Sequence, residues 1–111
     1  MRIYGLKNCD TVRKAMKSLA QAGYAPELVD LRAAGLSAED FAPWLARFGA
    51  ALVNQRSTTW RGLDEAERAR PPEALLAAHP ALMKRPLIIH DGQMTLGWTP
   101  QAQAVWLDNQ A

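Results

Sequence analysis

Hydrophobic and polar residues follow each other in the first part of the chain in a pattern that predicts a strand, a helix and a second strand. Residues 2–6 form a short β-branched and aromatic run, and residues 27–31 form another, so both predict strands. Between them, over residues 10–22, apolar side chains recur at helical spacing and would form one buried face: Val12, Ala15, Met16 and Leu19. Gly23 is positioned to end this helix.

The middle of the chain, about residues 37–83, has the pattern of several short helices. Ser37 is an expected N-cap with Asp40 at the capping-box offset, and Gly49 is the expected end of that helix. Pro43 falls inside it and would allow a kink. Two later segments, LDEAERA and PPEALLAAHPALM, also have helical composition.

The last part of the chain predicts a hairpin and a closing helix. RPLIIHDG reads as a strand that ends in a turn at Asp91 and Gly92, and QMTLGW reads as the returning antiparallel strand. Thr99 is an expected N-cap, followed by Pro100 at the first helical position. The buried side of this helix is expected to carry Ala104, Trp106 and Leu107.

The order of these elements is β-α-β, then several helices, then β-β-α, which predicts an α/β protein. A βαβ start implies two parallel strands with a right-handed crossover, and the hairpin would complete a four-stranded mixed sheet. This is the layout of a thioredoxin-like fold with a helical insertion, about residues 37–83, between its βαβ and ββα halves. At 111 residues without a repeat or linker, residues 1–111 are expected to form a single domain.

Composition and charge exclude several classes of function. The net charge is +2, from 13 basic and 11 acidic residues, which is too small to predict nucleic-acid binding. No apolar run is long enough to cross a bilayer, and the first residues do not resemble an export signal. One cysteine and two distant histidines form no metal-binding set, so we expect no metal, and the cytoplasm is the expected compartment.

The single cysteine, Cys9, lies between the first strand and the first helix. The thiol of a free cysteine has a pKa of about 8.5. At Cys9, a helix N-terminus together with Lys7 and Arg13 would favour the thiolate, while Asp10 would oppose this. The alternative is a small buried apolar side chain. Val12 stands where a C-x-x-C pair would have its second cysteine, so a reacting Cys9 would need an outside thiol to release its product.

Two other stretches carry candidate binding residues. NQRSTTWR places the guanidinium of Arg56 beside hydroxyl side chains in an expected loop, which could hold an oxyanion or a carboxylate; a solvated basic loop with Trp60 in the core is the alternative. In MKRPLII, Pro86 precedes a strand. Thioredoxin-like folds have a cis proline at this place beside the reactive sulfur, which would bring Arg85 near Cys9; an ordinary trans proline is the alternative.

Together, YGLKNCDTVRKA, NQRSTTWR and LMKRPLII resemble the arsenate reductase (ArsC)/Spx family, and most of all its YffB-like branch, over nearly the whole chain. The resemblance implies a thioredoxin-like fold with a helical insertion. It also implies that Cys9 is the nucleophile, that Arg56 and Arg85 bind an oxyanion, and that Pro86 is the cis proline. In arsenate reductases of this family the thiolate attacks arsenate, glutathione displaces the adduct, and glutaredoxin regenerates the enzyme.

This chain departs from the arsenate reductases at two places. They carry a histidine and a proline before the cysteine, where this chain has Gly5 and Lys7, and they carry a third arginine where TLGWTP has none. One cation fewer would weaken the binding of arsenate. The YffB-like branch instead implies a glutathione-dependent thiol reductase, in which Arg56 and Arg85 would hold glutathione carboxylates.

We therefore expect a cytoplasmic thiol-dependent reductase that holds no bound cofactor and uses glutathione as co-substrate. Its substrate would be a small disulfide or oxyanion, with glutaredoxin as a candidate partner and no role for nucleic acid or membrane. Cys9 would attack the substrate or receive the mixed disulfide, and Lys7 would stabilise the thiolate. Lys7 and Asn8, with Pro86, are also expected to contact the substrate or glutathione.

Two other functions stay open at this point. The Spx-type relatives are transcriptional regulators that bind RNA polymerase, and they usually carry a C-x-x-C switch that Val12 removes here. A binding module with an idle thiol is the third possibility.

Overall fold

A computed structural model, which describes residues 1–107, contains two compact units. Within the described residues, the first consists of Met1–Ala33 and residues 85–107, and the second is Ala34–Lys84. The second unit coincides closely with the predicted helical insertion. In chain order the elements are β1 (Arg2–Gly5), α1 (Asp10–Gln21), β2 (Glu27–Asp30), α2 (Ala38–Phe48), α3 (Thr58–Arg61), α4 (Glu65–Arg68), α5 (Pro72–Ala78), β3 (Leu87–His90), β4 (Gln93–Leu96) and α6 (Pro100–Leu107). The second unit also contains two 3-10 turns: Gly49–Leu52 follows α2, and Pro80–Leu82 follows α5.

The first unit is built on one four-stranded mixed sheet with strand order β2-β1-β3-β4. Strands β1 and β2 are parallel, whereas β3 is antiparallel to both β1 and β4. This confirms the predicted thioredoxin-like arrangement, with its βαβ half contributed by β1-α1-β2 and its ββα half by β3-β4-α6.

Helix α1 follows the predicted apolar pattern. Gly23, with a φ of +99°, ends the helix, and its N–H donates to the carbonyl of Ala20 at 3.1 Å. The N–H of Tyr24 donates to the carbonyl of Leu19, also at 3.1 Å, which completes a Schellman motif. The residues of the helix that are buried are Val12, Ala15 and Leu19, while Met16 is half-buried.

The last helix is attached to the sheet through Trp106. Its indole N–H donates to the hydroxyl of Thr95 on β4 at 2.8 Å, and its carbonyl accepts from the hydroxyl of Tyr24 at 2.8 Å. The predicted buried side of α6 is confirmed for Trp106. It is wrong for Ala104 and Leu107, which are only partly buried, whereas Ala102 is buried. Ala102 and Trp106 are four residues apart and therefore share one helix face.

Two turns of the chain have the predicted local chemistry. Asp91 and Gly92, with φ values of +49° and +79°, form the two-residue turn between β3 and β4. At the start of α2, the backbone N–H of Ser37 donates to the carboxylate of Asp40 at 2.8 Å, as a capping box requires. Gly49 ends α2 with a φ of +60°, and Pro43 lies inside that helix.

The prediction of a loop over NQRSTTWR is wrong in its second half, because Thr58–Arg61 form the short helix α3. The hydroxyl of Ser57 caps it by accepting from the N–H of Trp60 at 3.1 Å, while donating to the carbonyl of Asn54 at 2.8 Å. A serine followed by a helical turn is a common N-cap, so the capping chemistry overrode the loop-like composition.

Gly5, at the end of β1, lies directly under the first turn of α1. A Cβ atom at this position would be 2.6 Å from Cγ2 of Val12, which is closer than two carbon atoms can approach without a shift. Val12 is only 1% exposed and belongs to the core cluster with Ile3, Leu19, Ile88 and Trp106. The small size of glycine therefore allows α1 to begin close to the end of β1.

We predict that Gly5→Ala lowers the free energy of unfolding by about 1–3 kcal/mol, the usual cost of an extra methyl group in a packed interior. Urea denaturation measures this change. Val12→Ala is the matched partner variant, because it removes the methyl group that the new Cβ would meet. The loss in the double variant should be smaller than the sum of the single losses; strict additivity would contradict this explanation.

In the second unit, the carboxylate of Glu67 is held by two basic side chains. Its Oε2 lies 3.0 Å from Nε2 of His79 and 3.0 Å from Nη1 of Arg70. The hydrogen bond from His79, followed by that from Arg70, holds the pKa of Glu67 below its ordinary value of 4.5. This carboxylate therefore stabilises the folded state only while it is ionised.

We predict that Glu67→Gln destabilises the protein at pH 7 and that this difference fades as the pH is lowered. Because the pKa of Glu67 is lower in the folded state, its contribution is complete above about pH 4.5 and is lost as the pH falls through the folded value. Urea denaturation of both proteins between pH 7 and pH 3 tests this. Glu65→Gln, on the same helix, is the control; an equal and equally pH-dependent effect there would argue against a specific role of Glu67.

Candidate functional site

The register of the sheet brings four chain segments to one end of it. Gly5, the last residue of β1, pairs with Asp30, the last residue of β2. Tyr4, next to Gly5, pairs with Leu87, the first residue of β3, and Leu87 in turn pairs with Leu96, the last residue of β4. The segments that adjoin these four residues therefore meet at this end, which we call the cysteine end of the sheet.

Five of the six predicted site residues lie at the cysteine end. Lys7, Asn8 and Cys9 follow β1, and Arg85 and Pro86 precede β3. Lys7 and Asn8 are exposed, Cys9 and Arg85 are half-buried, and Pro86 is buried.

Cys9 is the N-cap residue of α1, with extended backbone angles of φ −89° and ψ 122°. Its N–H donates to the carbonyl of Leu6 at 3.1 Å, which closes the turn after β1, and its carbonyl accepts from the N–H of Arg13 at 3.0 Å. The side chain is half-buried and packs against the core cluster of the first unit. Cys9 is therefore partly open to solvent at the N-terminal end of α1.

The peptide groups of Lys7 are held from two sides. Its N–H donates to Oδ2 of Asp30 at 3.4 Å, and its carbonyl accepts from Nε of Arg13 at 3.2 Å. Nη1 of Arg13 also lies 3.6 Å from the carboxylate of Asp10. Arg13, expected only to add positive charge near the thiol, thus uses its guanidinium group to hold the turn before Cys9.

Asp30 is a functional candidate that the sequence analysis missed. Besides the N–H of Lys7, its carboxylate accepts the N–H of Arg32 at 2.9 Å. The bond from Arg32 is the main cause that lowers the pKa of Asp30 below its ordinary 3.8. Desolvation opposes it, and the N–H groups of Lys7 and Ala33 with the charge of Lys7 add smaller lowering effects. The sequence did contain a signal for Asp30: it ends the second strand of a predicted parallel pair, and parallel strands end at the same edge of the sheet.

The opposite side of the cysteine end is formed by the start of β3 and the end of β4. The peptide bond between Arg85 and Pro86 is cis, as the resemblance implied. The carbonyl of Pro86 accepts the N–H of Gly97 at 2.8 Å, and Gly97 adopts a φ of +81° that favours glycine. Trp98, the next residue, packs against the same core cluster as Cys9.

Arg56, the sixth predicted residue, lies in the second unit. It is exposed, and its backbone N–H donates to Oδ1 of Asn54 at 3.0 Å. Together with Lys84 it lines an open groove of about 740 Å³ in that unit. The neighbouring hydroxyl of Ser57 caps α3 and bonds to Asn54, so it contributes to the local fold, and the role of Arg56 in anion binding stays a prediction.

The described part of the chain offers neither a group of metal ligands nor a membrane-spanning helix. Within residues 1–107, no three histidine, cysteine, aspartate or glutamate side chains are grouped as metal ligands. The longest helix over the same residues, α1, has 12 residues, and none is long and apolar enough to cross a membrane.

Comparison with known proteins shows similarity over almost the whole chain. Residues 4–104 match the model of the ArsC family. An uncharacterized protein of Haemophilus influenzae is 43% identical over 101 aligned positions, and the match covers 86% of this chain and 89% of that protein.

Two solved structures are similar in both sequence and fold. The YFFB protein is 35% identical, with a TM-score of 0.84 over 96% of this chain and 97% of the other. An arsenate reductase (ArsC) related protein from Brucella melitensis is 33% identical, with a TM-score of 0.72 over 95% of this chain and 92% of the other.

Proposed function

The chain belongs to the ArsC family, and from this premise we propose that it is a thiol-dependent reductase whose nucleophile is Cys9. One observation carries the proposal: the only cysteine is half-buried at the N-cap of α1, at the same end of the sheet as the cis bond between Arg85 and Pro86. The related protein of Brucella melitensis, described as related to arsenate reductase, supports the same class of reaction.

The chemistry of Cys9 follows from its position. The reactive form of cysteine is the thiolate, and a helix N-terminus favours it because the first backbone N–H groups have no partner within the helix. Lys7, two residues earlier and exposed, adds a positive charge to the same turn. These groups support attack by the sulfur of Cys9 on an oxidised substrate.

Glutathione is the co-substrate that we propose. Val12 occupies the place of a second C-x-x-C cysteine and is part of the core, so Cys9 needs a thiol from outside this chain. In the proposed cycle the thiolate of Cys9 attacks the glutathione sulfur of a mixed disulfide and releases the other thiol as its thiolate. A second glutathione thiolate then attacks the Cys9 adduct, which yields oxidised glutathione and restores the thiolate of Cys9.

The charged residues suit a carboxylate-bearing co-substrate. Arg85 lies at the cysteine end beside the cis proline, and Arg56 lines a groove with a second cation in the other unit. Guanidinium groups bind carboxylates through paired hydrogen bonds. We propose that Arg85, with Lys7 and Asn8, holds glutathione or a small oxyanion at the cysteine end, and that Arg56 binds a carboxylate or oxyanion in the groove of the second unit.

The absence of an arginine in TLGWTP favours a disulfide over arsenate as the substrate, because a small dianion needs more positive charge around it. The proposed compartment is the cytoplasm, where glutathione keeps thiols reduced, and glutaredoxin is a proposed regenerating partner. No bound cofactor or metal takes part in this scheme.

We predict that oxidised glutathione forms a mixed disulfide with Cys9. Intact mass spectrometry should show one added glutathione unit, and reduced glutathione should remove it. Cys9→Ser is the blank and should remain unmodified. Wild-type protein that shows no adduct after long incubation at neutral pH would contradict the role of glutathione.

We also predict that Arg85→Ala reduces the rate of mixed-disulfide formation at low oxidised glutathione by about tenfold, as expected for loss of a charge-assisted hydrogen bond. Saturating oxidised glutathione should restore most of the rate, because the arginine is proposed to bind rather than react. Arg2→Ala removes the same charge from the far end of β1 and serves as control. If Arg85→Ala, shown to be folded by urea denaturation, reacts like wild type, Arg85 is not part of the site.

A further inference from the structure

The turn that carries Cys9 is short, and two charged side chains from different elements hold its centre. Only Leu6, Lys7 and Asn8 separate β1 from the N-cap residue Cys9. Asp30, at the end of β2, accepts the N–H of Lys7 at 3.4 Å, while Arg13, in the first turns of α1, donates to the carbonyl of Lys7 at 3.2 Å.

These two contacts hold the same residue, one through its backbone N–H and the other through its backbone carbonyl. A carboxylate takes the backbone donor and a guanidinium group takes the backbone acceptor, so the backbone of Lys7 is restrained at both of its flanking peptide planes. The N–H of Cys9 bonds back to Leu6 at 3.1 Å, which leaves little freedom between the held residue and the sulfur. Rotation of the Lys7 peptide groups would therefore move Cys9 relative to the end of α1.

We infer that Asp30 and Arg13 are positioning residues that hold the sulfur of Cys9 at the N-terminus of α1 by gripping the backbone of Lys7. This inference rests on the proposed function, in which Cys9 is the reacting group. Neither residue needs to touch a substrate: both act through the turn.

The ionisation state of Asp30 agrees with this role. Its pKa is lowered, mainly by the N–H of Arg32, so the carboxylate is charged at neutral pH and available as an acceptor. The backbone N–H of Arg32 donates to the carboxylate of Asp30 at 2.9 Å, and this bond also restrains the carboxylate. Asp30 is thus held in place on one side while it binds Lys7 on the other.

A simple charge effect and the positioning effect predict different results. If charge alone mattered, Asp30→Ala would make the thiolate of Cys9 more stable and faster to react, while Arg13→Ala would make it slower. If both residues position the sulfur, both variants should be slower, because each frees the same turn. The sign of the Asp30→Ala effect therefore separates the two explanations.

The experiment measures the rate at which iodoacetamide, a small neutral probe, alkylates Cys9 in the folded protein at pH 7. We expect Asp30→Ala and Arg13→Ala each to lower the alkylation rate about three- to tenfold. The double variant should be slower than either single variant, but its fold-loss in rate should be smaller than the product of the two single losses. Asp30→Asn keeps an acceptor oxygen and should recover at least half of the wild-type rate. Lys14→Ala, the same charge change one residue beyond Arg13, should stay within about twofold of wild type.

Several results would overturn the inference: an Asp30→Ala rate equal to or above that of wild type, or Asp30→Asn as slow as Asp30→Ala. Urea denaturation checks that each variant is folded. Should Asp30→Ala not fold, Arg13→Lys decides, because it keeps the positive charge and removes the guanidinium group that holds the carbonyl of Lys7 at 3.2 Å; a wild-type rate for Arg13→Lys overturns the inference. Alkylation does not need glutathione, so a wild-type protein that alkylates as expected but forms no mixed disulfide would refute the proposed function and leave the positioning role standing.

Discussion

The contact between Gly5 and Val12 is the constraint on which the candidate site depends. Because Gly5 has no Cβ atom, which would lie only 2.6 Å from Cγ2 of Val12, the first turn of α1 can lie against the end of β1. The chain then has three residues in which to turn, and Cys9 becomes the N-cap of the helix. The same contact commits Val12 to the core, so the position that could carry a second thiol is used for packing. A single close approach thus explains the placement of Cys9 at the start of α1 and the presence of an apolar side chain at position 12.

Around this contact, the sheet assembles the site from segments that are distant in the chain. Parallel pairing of β1 with β2 brings Asp30 to the turn before Cys9, and antiparallel pairing of β1 with β3 brings the cis bond of Arg85 and Pro86 to the same end. The N–H of Gly97 then ties the end of β4 to Pro86. Backbone groups therefore form most of the site's framework, and the charged side chains of Asp30 and Arg13 secure the short turn within it.

The second unit has its own local supports, and they clarify what NQRSTTWR contributes. The hydroxyl of Ser57 holds the start of α3, and the guanidinium group of Arg68 bonds to the carbonyl of Trp60 at 3.0 Å and lies 5.2 Å from the centre of its ring. Trp60 is half-buried rather than a core side chain. The stretch is thus mainly a capped helical turn, from which Arg56 projects into an open groove that also has Lys84.

The sequence by itself determined the elements whose causes are local. The apolar spacing of α1, the stop at Gly23, the turn at Asp91 and Gly92, and the capping pair Ser37 and Asp40 all depend on residues within about four positions of each other, and the structure confirms each of them. The element order was enough to predict the mixed sheet, and motif resemblance was enough to predict the family; it also implied the cis proline, which the residues themselves had left open.

The tertiary structure alone decided the contacts made across the fold. Asp30 meets the backbone of Lys7 over 23 positions of sequence, and the face of α6 is set by Ala102 and Trp106 against the sheet. Such contacts follow from strand register and close packing. These bring distant residues together through the backbone, so periodicity along the chain carries no record of them.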